Sequence, residues 1–268
     1  MRLFLLVLLL GCSAFSHAEL SLAKVKGLSI EYEITGQGRP VIFLEAGGSA
    51  GLSDWESVVE GFAKLGTVIR YSRVGNGNSQ KLRKNYSSEE YAQEALLLLK
   101  ELKVDEPVVY VAHSYGAYIA RVFAAAYPDK ISALMLIEPA SEHDVDIMRE
   151  IDLAQAEKEI AQIKRDDMAN GMSNQYLDFW AKRPLPDYPA IPDVPVTVIA
   201  SVKKYENPAV LFFSDEGREK WGMLHKQWAE SFPRGQVVLT KKSYHYPQFD
   251  EPEMVIHELQ RLIERTLQ

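Results

Sequence analysis

Short apolar runs alternate along the chain with longer segments of helical periodicity, and this alternation constrains the fold more than any other feature of the sequence. Several of the runs are apolar at every position, which is typical of parallel strands buried on both faces. The runs are 28–34, 41–45, 68–72, 108–112, 134–137, 196–200 and 237–240. They predict an α/β fold, in which a mostly parallel central sheet carries helices on both faces and right-handed crossovers join its strands.

Two helices are predicted from capping boxes, in which a serine precedes a glutamate by three residues. Ser53 and Glu56 form the first box, and Ser87 and Glu90 form the second. We expect each box to begin a helix of several turns.

The interval 141–190 breaks the alternation, because it contains no predicted strand. A charged amphipathic stretch around 147–168 predicts helix, and a proline-rich turn at 182–189 follows it. We expect the interval to be a helical cap that lies over the carboxyl edge of the sheet. The body of the protein is therefore predicted to be one domain, residues 19–268.

The first eighteen residues differ in character from the rest. Arg2 supplies a positive end, 3–10 is an unbroken apolar run, and Ser16-His17-Ala18 resembles a cleavage site. These features predict a signal peptide, residues 1–18, and export to the periplasm or the medium. The apolar run is too short for a membrane-spanning helix, which needs about 20 apolar residues, so we expect no span.

The single cysteine offers an alternative to this cleavage. Cys12 ends the sequence Leu9-Leu10-Gly11-Cys12, which resembles the lipobox at which bacterial lipoproteins are cut and acylated. A membrane-anchored lipoprotein, attached through Cys12, therefore stays open beside plain cleavage. In both cases the mature body contains no disulfide.

Charge and histidine spacing exclude several classes of function. The formal net charge is −7, and no block of the chain is rich in lysine or arginine, so we expect no nucleic-acid partner. The six histidines are scattered, and the sequence has neither a His-Glu-x-x-His motif nor paired cysteines. We therefore expect no metal and no cofactor, and a small molecule as the substrate. The sequence does not indicate the oligomeric state.

The segment 108–116 reads as a strand that runs into a tight turn and then into a helix. Ser114 lies at the turn, with Ala112 and Gly116 beside it. Small neighbours are needed there, because larger side chains would collide with the adjoining strand and helix. The turn would hold the serine hydroxyl above the amino end of the helix.

Two further loops resemble parts of a known family. The segment 43–48 resembles the end of a strand that leads into an oxyanion loop, with Ala46 where histidine is usual. The segment 71–79 is similar to a structural Asp-x-x-Gly-x-Gly-x-Ser loop, with Ser72 in place of the aspartate. From about Ile30 to the carboxyl end, the sequence resembles the α/β-hydrolase family.

The resemblance implies a catalytic set. The segment 243–253 resembles the catalytic-histidine loop of the family, which implies Ser114 as nucleophile and His245 as base. The other five histidines, including His113, are interpreted as ordinary. The implied oxyanion hole consists of the backbone N–H groups of Gly48 and Tyr115.

The acid of the triad is not at its usual place, because lysine occupies the position after the strand 196–200 where the family carries its aspartate. Glu138, at the end of the strand 134–137, is the predicted acid, since some members of the fold take it from that strand. The alternatives are Glu206 first, followed by Glu142, Asp144 and Asp215. Glu45 is interpreted as a hydrogen-bonding support for the oxyanion loop.

Aromatic residues of the cap predict an apolar substrate pocket. Tyr176, Phe179 and Trp180 would line it, although packing against the sheet is an equal alternative. The predicted function is that of a serine hydrolase acting on a small or medium ester, lactone or amide through an acyl-enzyme intermediate. The alternatives are a non-catalytic ligand-binding or sensor protein, and a lyase or cofactor-free peroxidase on the same fold.

Overall fold

The computed structural model describes residues 20–81, 86–169 and 191–267. Eight strands in these residues form one sheet in the order β1-β2-β4-β3-β5-β6-β7-β8. They are β1 (Ser21–Val25), β2 (Leu28–Thr35), β3 (Val41–Glu45), β4 (Thr67–Ser72), β5 (Val108–His113), β6 (Ile131–Ile137), β7 (Val196–Ser201) and β8 (Gly235–Thr240). The two pairings that involve β2 are antiparallel, and the other five are parallel. The mostly parallel sheet is confirmed.

Helices lie on both faces of this sheet. They are α1 (Val59–Phe62), α2 (Ser88–Glu101), α3 (Gly116–Ala126), α4 (Asp144–Ile151), α5 (Leu153–Ala169), α6 (Asp215–Glu230), α7 (Pro247–Asp250) and α8 (Pro252–Thr266). Short 3-10 helices occupy Leu52–Trp55, Pro128–Lys130 and Leu211–Phe213. None of the helices in the described part of the chain is long and apolar enough to cross a membrane.

The central strand β5 shows why its sequence is apolar throughout. Tyr110 and Ala112 face a core that includes residues of α2 and α3, whereas Val109 and Val111 face a second core that includes residues of α1 and α8. Every residue of β5 is buried. The strand therefore needs apolar side chains on both faces, and only its last residue, His113, departs from this rule.

Strand β1, which forms an antiparallel edge with β2, is not among the predicted strands. Lys26 and Gly27 make the connecting turn, and both have positive φ angles, 50° and 81°. An edge strand needs apolar side chains on one face only, and Leu22 is 61% exposed. Its short alternating pattern therefore gave too weak a signal.

The helix expected to begin at Ser53 is wrong in its start and length, because the α-helix in this region is α1 and begins only at Val59. The chain forms a 3-10 turn there, and Gly51 precedes it without a side-chain cap. Asp54 and Trp55 of this turn are buried, and the Asp54 carboxylate accepts hydrogen bonds from other loops, so tertiary contacts override the local capping preference. The box at Ser87 and Glu90, in contrast, is present and begins α2 as expected.

The two helices α4 and α5 occupy the first part of the interval expected to be a cap. They follow β6 along the chain, and their side chains reach the cavity described below. The rest of that interval, 170–190, lies outside the described residues, as does the leader 1–18 with Cys12.

Candidate active site

Ser114 occupies a sharp turn between β5 and α3. Its φ angle is 51°, in the left-handed region that side chains other than glycine rarely adopt. The turn is held by its neighbours, since the Ser114 amide donates to the Ile137 carbonyl at 3.1 Å and the Ser114 carbonyl accepts from Ala140 at 3.0 Å. A Cβ atom on Gly116 would lie 2.7 Å from the carbonyl oxygens of Glu45 and Ala46, so only glycine fits there.

His245 comes from the loop between β8 and α7, and its Nε2 atom lies 2.9 Å from Ser114 Oγ. Burial, together with the positive charges of His113 and Arg218, lowers the pKa of His245 from 6.5 to about 3, against the opposing charge of Asp54. The imidazole is therefore neutral near pH 7 and can accept the serine proton. The two residues implied as nucleophile and base thus lie within hydrogen-bonding distance.

His113 was interpreted as ordinary, but it lies at the centre of the site. Its Nδ1 atom is 2.9 Å from Asp54 Oδ2, and its Nε2 atom is 2.8 Å from the main-chain carbonyl oxygen of His245. Both His113 and Asp54 are buried. Burial opposes a charge on His113, yet the Asp54 carboxylate and the hydrogen bonds raise the net pKa of His113.

The loop implied as the oxyanion loop follows β3, and its Gly47 lies beside Ser114. The amide of Gly47 donates to Asp54 Oδ2 at 2.8 Å. The amide of Gly48, one of the two implied oxyanion donors, makes no hydrogen bond to another residue in the described part of the chain. The other implied donor, Tyr115, directly follows Ser114 and precedes the first residue of α3.

Arg73 fixes the main chain of this loop. Its guanidinium group donates to the carbonyl oxygens of Ala46, Gly47 and Gly48, and it forms a buried ion pair with Glu45. Glu45 in turn accepts hydrogen bonds from Tyr71 and Tyr110. The carbonyl oxygens of the loop are therefore turned towards Arg73. Glu45 supports the loop through this arginine.

Glu138, the predicted acid, lies at the end of β6 on the wall of the same cavity as Ser114 and His245. Its carboxylate accepts from the Ser201 amide at 2.6 Å and from Arg218 at 2.7 Å. No hydrogen bond joins it to His245 in the structure of the described residues. Its φ angle is 42°, and burial raises its pKa against the opposing charge of Arg218.

The alternative acids lie elsewhere. Glu206 is exposed, Glu142 pairs with Arg121, and Asp215 pairs with Lys204. Asp144 lines the cavity, where it accepts a hydrogen bond from the Ser141 amide. None of these four carboxylates is hydrogen-bonded to His245 within the residues that the structure covers. The identity of the acid therefore stays a prediction.

A cavity of about 350 Å³ opens beside Ser114 and His245. Most of its wall is apolar or aromatic. The contributing side chains are Tyr118, Val145, Met148, Ile163, Tyr205, Val210, Phe212, Phe213 and Trp221. Three of these belong to α4 and α5, whereas the expected lining residues Tyr176, Phe179 and Trp180 lie outside the described residues. The volume is in the range of about 300–1,000 Å³ that is usual for small-molecule sites.

Sequence reasoning missed Asp54, Arg73 and Arg218, which hold the site together. The sequence does mark the partners of these residues as unusual. Glu45, His113 and Glu138 are each a polar residue directly at the carboxyl end of an apolar strand. Buried charges of this kind need a partner. No group of side chains in the described residues has the composition of a metal site.

Comparison with known proteins identifies the family. A family model described as alpha/beta hydrolase fold matches residues 39–182, more than half of the chain. The protein therefore belongs to the α/β-hydrolase family. The uncharacterized protein YqjL of Bacillus subtilis is 22% identical over 235 residues, which are 82% of this chain and 82% of that protein.

Two solved structures resemble the fold over nearly their whole length. An esterase from Thermogutta terrifontis has a TM-score of 0.64 at 18% identity and covers 93% of this chain and 99% of its own. An epoxide hydrolase from Vigna radiata has a TM-score of 0.67 at 16% identity, and the match covers 92% of this chain and 99% of that protein. At such low identity the likeness shows the fold alone.

Proposed function

We propose that the protein is a serine hydrolase that cleaves a small or medium ester through an acyl-enzyme intermediate. The observation that carries this proposal is the 2.9 Å separation between Ser114 Oγ and His245 Nε2. A serine hydroxyl is a weak nucleophile until a neighbouring base accepts its proton. The low pKa of His245 keeps that base unprotonated near neutral pH.

The reaction has two stages. In the first, Ser114 Oγ attacks the carbonyl carbon of the ester while His245 takes the hydroxyl proton, and the negative oxygen of the tetrahedral intermediate accepts hydrogen bonds from the amides of Gly48 and Tyr115. His245 then returns the proton to the leaving alcohol, and the acyl group stays on Ser114. In the second, His245 takes a proton from the attacking water and returns it to Ser114 Oγ as the acyl–oxygen bond breaks, which releases the acid.

Glu138 is the proposed acid of the triad, stabilising the imidazolium of His245 as it forms. Three observations support this role: its strand neighbours that of the nucleophile, its side chain reaches the same cavity, and its φ angle of 42° is strained. Strain of this kind concentrates at functional sites. Arg218 and the Ser201 amide would hold the carboxylate in place.

The lining of the cavity supports an uncharged substrate with an apolar acyl part. Aromatic and aliphatic side chains contribute most of the wall, and burying an unpaired charge against them would be costly. An ester is the first candidate, and a lactone or an amide could be opened by the same steps. Two of the observed wall segments are α4 and the 3-10 helix 211–213.

Labelling with a fluorophosphonate, followed by hydrolysis of p-nitrophenyl esters of increasing chain length, tests the proposal. Ser114→Ala should abolish labelling and lower turnover at least about a thousandfold without unfolding the protein. Ser88→Ala is the matched control, because Ser88 is also a buried serine at the start of a helix but lies on α2. Hydrolysis retained in full by Ser114→Ala would end the serine-nucleophile proposal, and a binding protein would hydrolyse none of the esters.

The proposed place of action is the periplasm or the medium, and its support is the sequence of the leader 1–18. Mass spectrometry of exported material should find a mature amino terminus at Glu19. An acylated terminus at Cys12 would instead establish the lipoprotein alternative. An intact leader on all of the protein would contradict both.

A further inference from the structure

A single buried carboxylate joins the three loops that meet at Ser114. Asp54 accepts a hydrogen bond from the Gly47 amide of the oxyanion loop at 2.8 Å and bonds to His113, the residue before the nucleophile, at 2.9 Å. It also accepts from the side chain of Gln248, beyond the histidine loop, at 3.3 Å. The nucleophile turn, the oxyanion loop and the histidine loop therefore share one anchor.

The hydrogen bonds of His113 fix its charge. Its Nε2 atom faces the His245 carbonyl oxygen, which can only accept, so Nε2 carries a proton. Its Nδ1 atom faces Asp54, and an ionised carboxylate also can only accept. With protons on both nitrogens the ring is an imidazolium, and with Asp54 it forms an ion pair in which both side chains are 2% exposed.

We propose that Asp54 and His113 form a positioning unit for the base. His113 holds His245 in place by donating to its main-chain carbonyl oxygen, and Asp54 links His113 to the oxyanion loop by accepting from the Gly47 amide as well. This inference rests on the proposed function, since it assigns a role within the same reaction. Neither residue touches the reacting atoms, so both are positioning residues. A displacement of about 1 Å in such a site can lower turnover a hundredfold.

The positive charge of His113 also lowers the pKa of His245. The His113 and His245 rings lie 5.0 Å apart between centroids, and the cation disfavours protonation of His245. The other charged or titratable groups around the two rings are Asp54, Glu138, Arg218 and Tyr246. Removing the His113 cation should therefore raise the pKa of His245, and more so when the Asp54 carboxylate stays behind.

The test is the rate of fluorophosphonate labelling between pH 4 and 8 for wild type, Asp54→Asn, His113→Gln and the double variant. Both single variants should label about 10–100-fold more slowly at pH 7. Because the pKa of His245 in wild type is about 3, the wild-type profile should be flat in this range, whereas an acid limb should enter the range in the variants, at higher pH in His113→Gln than in Asp54→Asn. With a p-nitrophenyl ester, kcat should fall while KM changes little. Because the pair acts as a unit, the double variant should be no slower than the slower single variant.

His225→Gln is the matched control, since His225 is equally buried but has no hydrogen-bond partner among the described residues. Its labelling profile should follow that of wild type. If His113→Gln fails to fold, Asp54→Asn decides, because the amide matches the carboxylate in shape. Labelling of Asp54→Asn at the wild-type rate, with no acid limb in this range, would overturn the inference.

Nitrogen NMR of the histidine rings separates this inference from the proposed function. At pH 7 the wild-type His113 ring should show the shifts of an imidazolium, and Asp54→Asn should show a neutral ring. A neutral His113 ring in wild type would overturn the inference even if the protein labels well. Wild type that resists labelling while His113 is charged would instead contradict the proposed function and leave the ion pair established.

Discussion

Three buried carboxylates lie around Ser114, and each is paired with a basic side chain from another part of the chain. They are Glu45 with Arg73, Asp54 with His113, and Glu138 with Arg218, and every one of these side chains is at most 4% exposed. The desolvation of buried pairs consumes most of their mutual attraction, whereas removing one partner typically costs about 3–5 kcal/mol. Their main effect is therefore to fix geometry.

Replacing Glu138 tests whether it acts as the acid of the triad or only as a structural residue. Glu138→Gln should lower kcat at least about a hundredfold, because the imidazolium then lacks its counterion, whereas Glu206→Gln should leave kcat unchanged. Ester hydrolysis at saturating substrate measures both. The reverse outcome would move the acid to the segment after β7.

Arg218→Gln controls for stability in this experiment. It breaks the same ion pair but keeps the carboxylate of Glu138, so both variants should lower the free energy of unfolding by roughly 3 kcal/mol in urea titrations. Glu138→Gln should lose more turnover than Arg218→Gln, because Arg218→Gln loosens the carboxylate but keeps its charge. Equal loss of turnover in the two variants would make Glu138 a structural residue.

The proximity of Ser114 and His245 could be predicted, because each residue lies in a local sequence pattern that is typical of the family. The serine follows a strand and precedes a helix with small neighbours, and the histidine follows β8. The partnership of His113 with Asp54 could not be predicted, because 59 residues separate them and only the folded sheet brings them together. For the same reason Arg218 could not be paired with Glu138, which is 80 residues away.

At the scale of elements, the loop after β3 depends on one side chain from the loop after β4. Arg73 donates to Glu45 and to three successive carbonyl oxygens of that loop, and these four acceptors outnumber the three N–H donors of an ammonium. Burial opposes its charge, but Glu45 raises the pKa of Arg73 above its ordinary value. The arginine is therefore always charged.

Arg73→Lys should lower kcat about tenfold or more while KM changes less, because the oxyanion amides lose their support. The free energy of unfolding should fall by about 2 kcal/mol, since buried carbonyl groups lose their donors. Arg70→Lys is the control, because Arg70 forms a buried ion pair with Glu33 that does not involve the oxyanion loop. A larger loss of kcat in the control would disprove this role of Arg73.

Strands buried on both faces were the easiest elements to predict, as the match between the expected run 41–45 and β3 illustrates. β1 and the 3-10 turn at Ser53 were not predicted, because an edge position and a buried aspartate are decided by contacts distant in sequence. The segment 205–213 was also missed as a wall of the cavity. Its sequence has no regular hydrophobic pattern. Its aromatic side chains pack against Trp221 and Tyr244, and these contacts are not visible in the sequence.

At the scale of the whole molecule, two buried neutral histidines make stability depend on pH. Burial lowers the pKa of His225 and of His245 from 6.5 to about 3. Below pH 6.5 the unfolded chain therefore binds more protons than the folded protein, and the free energy of unfolding falls as the pH is lowered towards 3. The raised pKa of His113 acts at higher pH, because the stability it contributes is fully present below pH 6.5 and is lost as the pH rises through the folded pKa of His113.

His225→Gln isolates one of these contributions. Between pH 6 and 4 the free energy of unfolding of wild type should fall more steeply than that of the variant, by roughly 1 kcal/mol per pH unit. The charges that face His225 are those of Arg218, Arg121 and Glu142, and the variant retains all three. Urea titrations at several pH values measure the difference, and parallel pH dependences would show that His225 titrates normally.

The nucleophile and its base are 131 positions apart in the chain. Ser114 is therefore translated long before the loop that activates it, and the growing polypeptide carries only an unreactive alcohol. A chain that ended between β8 and this loop would contain the eight strands of the sheet but would lack the proposed base. The pair of Ser114 and His245 therefore forms only when the carboxyl-terminal part of the chain has folded onto the sheet.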